Sequence, residues 1–170
     1  MKSIKPLNIK NIMFIWNVLI SIFSIYCVNY ITIQLYNNEL FLTNISICTD
    51  IIASNNTKLA EWRFYFILSK FPEMIDTIWI ILRKKHLSIL HIWHHFSVIL
   101  YCWILVYSPN YNEGGQGTYF AAINSFIHMI MYVYYAFVSK FRFRFNYIAK
   151  IITILQIIQM FLGIFIHIYR

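Results

Sequence analysis

The sequence predicts an all-α integral membrane protein, a polytopic bundle of transmembrane helices. Three observations carry that expectation. The 170 residues are 60% hydrophobic and 19% aromatic but only 12% charged, too apolar for the surface of a soluble domain. Five stretches each hold the roughly 20 mostly apolar residues that a helix needs to cross the hydrocarbon layer. The 14 Lys and Arg residues, which leave a net charge of +8, gather in short runs between those stretches, as in loops held at a membrane surface. A nucleic-acid binder would spread them over an exposed face instead.

The elements follow in order as one transmembrane domain over residues 1–170, with no internal repeat. The first span runs from Ile12 to Tyr36; its length and polar start separate it from a cleaved signal peptide. Asn37 to Arg63 is rich in Asn and Thr, and its short apolar piece from Phe41 to Cys48 is too brief to span, so an extramembrane loop is expected. Further spans are read at Phe64 to Leu82, Leu87 to Tyr107, Tyr119 to Val138 and Tyr147 to Tyr169. Between the third and fourth, Pro109, Gly114, Gly115 and Gly117 break any helix over Ser108 to Gly117. Cys27, Cys48 and Cys102 have neither CxxC nor metal-ligand spacing and read as small apolar filler.

Orientation follows from charge, because Lys and Arg of short loops stay cytosolic. Lys2, Lys5, Lys10, Arg83, Lys84, Lys85, Lys140, Arg142, Arg144 and Lys150 alternate so as to share one face. The other receives Lys58, Arg63 and Arg170, and Lys70 falls within a span. Met1 is therefore expected in the cytosol and the Asn37 to Arg63 loop on the far side. That loop holds two glycosylation sequons, at Asn44 and Asn55.

Ionisable groups within a bilayer are costly and normally mark function. The second span carries Lys70, Glu73 and Asp76, followed by Thr77; the third His91, His94 and His95; the fourth Asn124 and His128; the fifth Gln156 and Gln159. Spacings of three or four stack each set on one helical face, and such stripes avoid lipid only by facing a shared interior. At about 1.5 Å per residue from each cytosolic end, Asp76, His94, His95, His128 and Gln156 lie roughly 10 to 15 Å deep. A lone intramembrane His or Gln more often serves an interhelical hydrogen bond. The full set at one level points to catalysis, since His can act as nucleophile or general base near neutral pH. Tyr132, Tyr134 and Tyr135 read mainly as packing and interface anchors.

These residues form four motifs in chain order: Lys70-x-x-Glu73-x-x-Asp76-Thr77, Leu90-His91-x-x-His94-His95, His128-x-x-Met131-Tyr132-x-Tyr134-Tyr135 and Thr153-x-x-Gln156-x-x-Gln159. The chain thereby resembles the ELO family of fatty acid elongases. Its opening from Lys2 to Ser24 looks like the branch acting on saturated and monounsaturated chains. The family has seven helices, and the chain looks as if it lacks the first and last.

The resemblance implies an endoplasmic reticulum enzyme that condenses acyl-CoA with malonyl-CoA to give 3-oxoacyl-CoA, CoA and carbon dioxide. It implies no metal and no tightly bound cofactor. On that reading His94 carries the acyl group as an acyl-imidazole, and His128 positions malonate or moves a proton. His91 and His95 orient His94, and Glu73 and Asp76 fix tautomers. Asn124, Gln156 and Gln159 hydrogen-bond substrate oxygens, with Lys70, Tyr132 and Tyr135 completing the substrate site. Arg83, Lys84, Lys85, Arg142 and Arg144 either take the phosphates of CoA or serve topology alone. Implied partners are the bilayer, the ketoacyl-CoA reductase, dehydratase and enoyl reductase of the same cycle, and a second copy in a homodimer. The competing expectations are a membrane di-iron desaturase or hydroxylase, which shares HxxHH but needs about eight clustered histidines, and a non-enzymatic transporter.

Overall fold

The computed structural model describes residues 8–37, 57–107, 116–141 and 144–168, and folds them as helices with short connections. We label these α1 (Lys10–Asn37), α2 (Thr57–Glu73), α3 (Ile75–Leu82), α4 (Ile89–Tyr107), α5 (Gln116–Phe141) and α6 (Asn146–Ile168). Met1, Cys48, Arg142 and the sequons at Asn44 and Asn55 lie outside the described residues, as do Pro109, Gly114 and Gly115.

Two expectations are corrected. The stretch read as one span from Phe64 begins as helix at Thr57, inside the expected loop, and is broken in two at Met74. Pro72 has no N–H to give the carbonyl four residues back, and its ring crowds that carbonyl. The chain tightens through Met74 N to Phe71 O at 3.1 Å and restarts as α3. Gly117, expected in a helix-breaking connection, lies in the first turn of α5, where a glycine costs little because no preceding turn has yet formed against it.

Helices α1, α5 and α6 are long and apolar enough to cross a membrane, and Ile89–Ile104 is a shorter apolar helix. Burial is arranged as lipid demands. On α1 the buried residues are Asn17, Ile20, Ser21, Ser24, Cys27, Ile31 and Leu35, every third or fourth position, while Ile15, Leu19, Tyr26 and Ile33 are more than half exposed. The small polar residues of this stripe let α1 approach α5 closely, and those two helices form the most extensive packing. One apolar cluster joins Cys27, Ile31, Phe66, Val98, Cys102 and Phe120 from α1, α2, α4 and α5. Another joins Ile20, Met131, Tyr132, Tyr134 and Ile152 from α1, α5 and α6. The chain is thus an all-α membrane helix bundle with polar groups inside and apolar ones out.

Helices α5 and α6 approach closely at Gly163. A Cβ there would lie 3.0 Å from Phe120 Cδ2 and 3.1 Å from Cε2. Gly163→Ala is expected to lower stability by about 1 kcal/mol through overpacking, and Phe120→Leu in the same chain to restore most of it. Thermal unfolding in detergent of the two variants checks this; equal stability of wild type and Gly163→Ala would show that the ring moves aside freely.

Candidate active site

Burial of a lysine and a glutamate on α2 dictates the first layer of the site. Lys70 is 4% exposed and Glu73 3%, so each needs a partner. The Lys70 ammonium donates to Glu73 Oε1 at 2.8 Å and Oε2 at 3.0 Å, and to Asn124 Oδ1 of α5 at 2.7 Å. It also lies 4.3 Å from the centre of the Phe66 ring. Glu73 Oε1 stands 3.4 Å from His128 Nδ1, a close approach without the alignment of a hydrogen bond. The Lys-x-x-Glu spacing thus turns both charges onto the face of α2 that meets α5.

The histidines form the second layer. On α4 the ring centres of His91 and His95 are 4.4 Å apart and those of His94 and His95 5.8 Å. Across the helix interface His94 and His128 are 6.2 Å apart, and His128 lies 5.6 Å from Tyr132. Thr77 Oγ1 and His91 Nε2 are hydrogen-bonded at 2.9 Å, which ties α3 to α4.

Asp76 departs from the expectation that it fixes a histidine tautomer. Its Oδ1 accepts from Trp16 Nε1 of α1 at 2.8 Å and its Oδ2 from the hydroxyl of Tyr132, which lies one turn beyond His128 on α5. On α6, Gln156 Nε2 lies 3.1 Å from Met131 Sδ, a weak acceptor. Gln159 is 1% exposed with neither amide atom hydrogen-bonded among the described residues, and the same holds for Asn124 Nδ2, His94 Nδ1 and both ring nitrogens of His128. Each such group costs about 1–3 kcal/mol, and a cluster of them is the signature of a site built for something other than folding.

Asp76, His94, His128 and Gln156 border a cavity of about 1240 Å³ with two unlike ends, whereas Lys70, Glu73, Asn124, Tyr132 and Gln159 are buried off its wall. At one end are Lys10, Arg83, Lys85, His86 and Arg144; in the middle Asp76, His91, His94, His95, His128, Tyr135 and Gln156; at the other Tyr101, Phe120, Met160, Phe161 and Ile164. The cationic end is crowded: the Lys85 ammonium is held below its usual pKa first by the Arg83 charge, then by partial burial and by Arg144. Repulsion of that kind is relieved by an anion. Lys84 stands apart, exposed in the turn with φ of 51° and off the cavity wall.

Sequence reasoning passed over four contributors from outside the motifs, namely Lys10, Trp16, Asn17 and His86. The spacing of Lys10, Met13 and Asn17 at i, i+3 and i+7 was the available signal, since it sets the three on one face of α1; Trp16 and His86 had none.

The GNS1/SUR4 family model, that of the ELO family, matches residues 1–170. The chain belongs to the ELO family. It is 34% identical over 174 residues to a very long chain fatty acid elongase 4 of Trypanosoma cruzi, covering 99% of this chain and 58% of that protein. It is 35% identical over 170 residues to a putative fatty acid elongase 3 of Caenorhabditis elegans, covering 98% and 51%. With a very long chain fatty acid elongase 6 of Drosophila melanogaster it shares 37% identity over 128 residues, 73% of this chain and 38% of that protein. The chain thus spans about half the length of the curated ELO relatives it matches.

Lys70→Met is expected to destabilise the protein by about 3–5 kcal/mol, because it leaves Glu73 charged and unpaired in an apolar interior. Adding Glu73→Gln should recover a large part. Unfolding of the purified variants in lipid nanodiscs checks the sign; a double variant as unstable as the single one would contradict the pairing.

Proposed function

We propose that the protein takes part in fatty acid elongation as the condensing enzyme, joining acyl-CoA to malonyl-CoA to form a 3-oxoacyl-CoA two carbons longer. The observation that carries this reading is the meeting of His94 and His128 on the wall of a cavity that is cationic at one end and apolar at the other. The substrate has the same polarity, phosphates at one end and a hydrocarbon tail at the other. The names of the ELO relatives, all fatty acid elongases, support it.

In this reading Arg83, Lys85 and Arg144 receive the phosphates, with Lys10 beside them and Lys84 and Arg142 on the same connections. The acyl tail lies toward Phe120 and Met160. A ring nitrogen of His94 attacks the thioester carbon; the C–S bond breaks, an acyl-imidazole forms, and CoA leaves with the imidazole proton. Malonyl-CoA then loses carbon dioxide, and the electron pair of the broken C–C bond attacks the acyl carbon. The new C–C bond forms as the acyl–nitrogen bond breaks, and His94 takes back the one proton that the overall reaction consumes from the medium. His128, supported by Glu73 and through it by Lys70, holds the malonyl carboxylate or the transferred proton. His91 and His95 orient His94. Gln156 supplies an amide donor to substrate oxygens from the cavity wall, with Asn124 and Gln159, buried off that wall, as further donors; Tyr135 lines the cavity and Tyr132 is buried off its wall.

The chemistry requires no bound cofactor. The charge distribution favours a cytosolic Met1, and the reaction suits the endoplasmic reticulum membrane beside a ketoacyl-CoA reductase, a dehydratase and an enoyl reductase. A homodimer and a preference for saturated and monounsaturated chains complete the proposal.

Expressed as the full reading frame in elongase-deficient cells, the wild type should extend acyl chains by two carbons, and His94→Ala and His128→Ala should not, as fatty acid profiling would reveal. Extension undiminished in His94→Ala would remove it from the reaction. Reversing charge with Arg83→Glu and Lys85→Glu should raise KM for both CoA substrates at least tenfold, about what two lost charge-assisted contacts are worth, with kcat far less affected. Unaltered KM values would leave those residues as topology determinants only.

A further inference from the structure

Helix α3 spans eight residues, Ile75–Leu82, none of them buried, and the Met74 turn separates it from α2. Its residues are at most partly buried, so apolar packing holds its rotation only loosely, yet it presents Thr77 to His91 at 2.9 Å. What holds α3 is Asp76, with one donor on each oxygen: the Trp16 indole from α1 at 2.8 Å and the Tyr132 hydroxyl from α5. The chain of contacts then runs from Thr77 to His91, from His91 to His95 at 4.4 Å, and from His95 to His94 at 5.8 Å.

We infer that Trp16 is a positioning residue of the histidine site. By donating to Asp76 it fixes the rotation of α3 and hence holds the Thr77 hydroxyl against His91 Nε2. Trp16 reaches the site through Asp76, which lines the cavity among the histidines; its effect passes through Asp76 and Thr77. The geometry accounts for an indole at this position, since a phenylalanine would pack in the same space without the N–H. The role in catalysis rests on the elongase reading, whereas the structural link from Trp16 to His91 stands without it.

The test uses the full-length protein in phospholipid nanodiscs with histidine rings labelled with 15N, and Trp16→Phe as the variant that keeps the ring and removes the donor. The ring signals of His91, assigned by their loss in His91→Asn, should move toward the values of a freely exchanging imidazole, while those of His128 stay. Malonyl-CoA-dependent condensation should lose roughly tenfold in kcat, the rate equivalent of one hydrogen bond, with KM for malonyl-CoA unchanged. Trp16→Phe combined with Thr77→Val should lose no more than Thr77→Val alone, because both act on one link. Asp76→Asn, which keeps the side-chain shape and weakens the acceptor, should displace the same His91 signals. Unmoved His91 signals in Trp16→Phe and Asp76→Asn, or fold-losses that multiply in the double variant, would overturn the inference. A wild type that extends no acyl chain would sink the elongase reading instead, and the His91 signals would still decide the role of Trp16.

Discussion

The lysine and glutamate of α2 sit where neither water nor lipid can satisfy them, and the interior of the bundle is organised around that constraint. Lys70 reaches both oxygens of Glu73 on its own helix and the side-chain oxygen of Asn124 on α5, so α2 can rotate only by breaking the charge-assisted contact with Asn124. That fixes the register of α2 against α5, and with it the approach of Glu73 to His128. A hydrophobic pair at the same positions would pack as well, or better. The charges impose a single orientation on a surface where helix association in lipid gains little from apolar burial.

Around this pair the protein separates two kinds of hydrogen bonding. Asp76, Trp16, Tyr132 and Thr77 are engaged with one another or with His91 across helices. His94, His128, Asn124 and Gln159 keep buried polar atoms with no hydrogen bond among the described residues. The first set stiffens the frame, and the second retains donors and acceptors that a substrate can use without displacing a protein partner. Such preorganisation matters most away from water, where a positioned dipole acts at full strength. The cavity adds direction, because its cationic end and its apolar end lie on opposite sides of the histidines, and an amphipathic ligand enters in only one sense.

The polar stripes, the apolar periodicity and the basic runs were legible in the chain because each depends on neighbours three or four residues apart. Helix class and the polar face of each helix follow from such local spacing, and four motifs in chain order carried the resemblance to the ELO family. Spacing did not identify the partners of Asp76, which are Trp16 on α1 and Tyr132 on α5. Pro72 marked the break, but the angle of α3 beyond it depends on helices distant in sequence. Gly117 misled in the opposite way, since a glycine in a first helical turn and one in a connection look alike in the chain.

Alone, then, the sequence determined which side chains must be hidden from lipid and on which face of its own helix each lies, because a regular helix converts spacing into direction. Only the tertiary structure decided which of those faces meet. It brought Trp16 to Asp76 across sixty residues, set His94 and His128 across the α4–α5 interface, and enrolled Lys10 and His86 at the cationic end of the cavity. Contacts between helices depend on crossing angles and on the bend at Met74, which are properties of the assembled bundle and have no counterpart in any single segment of the chain.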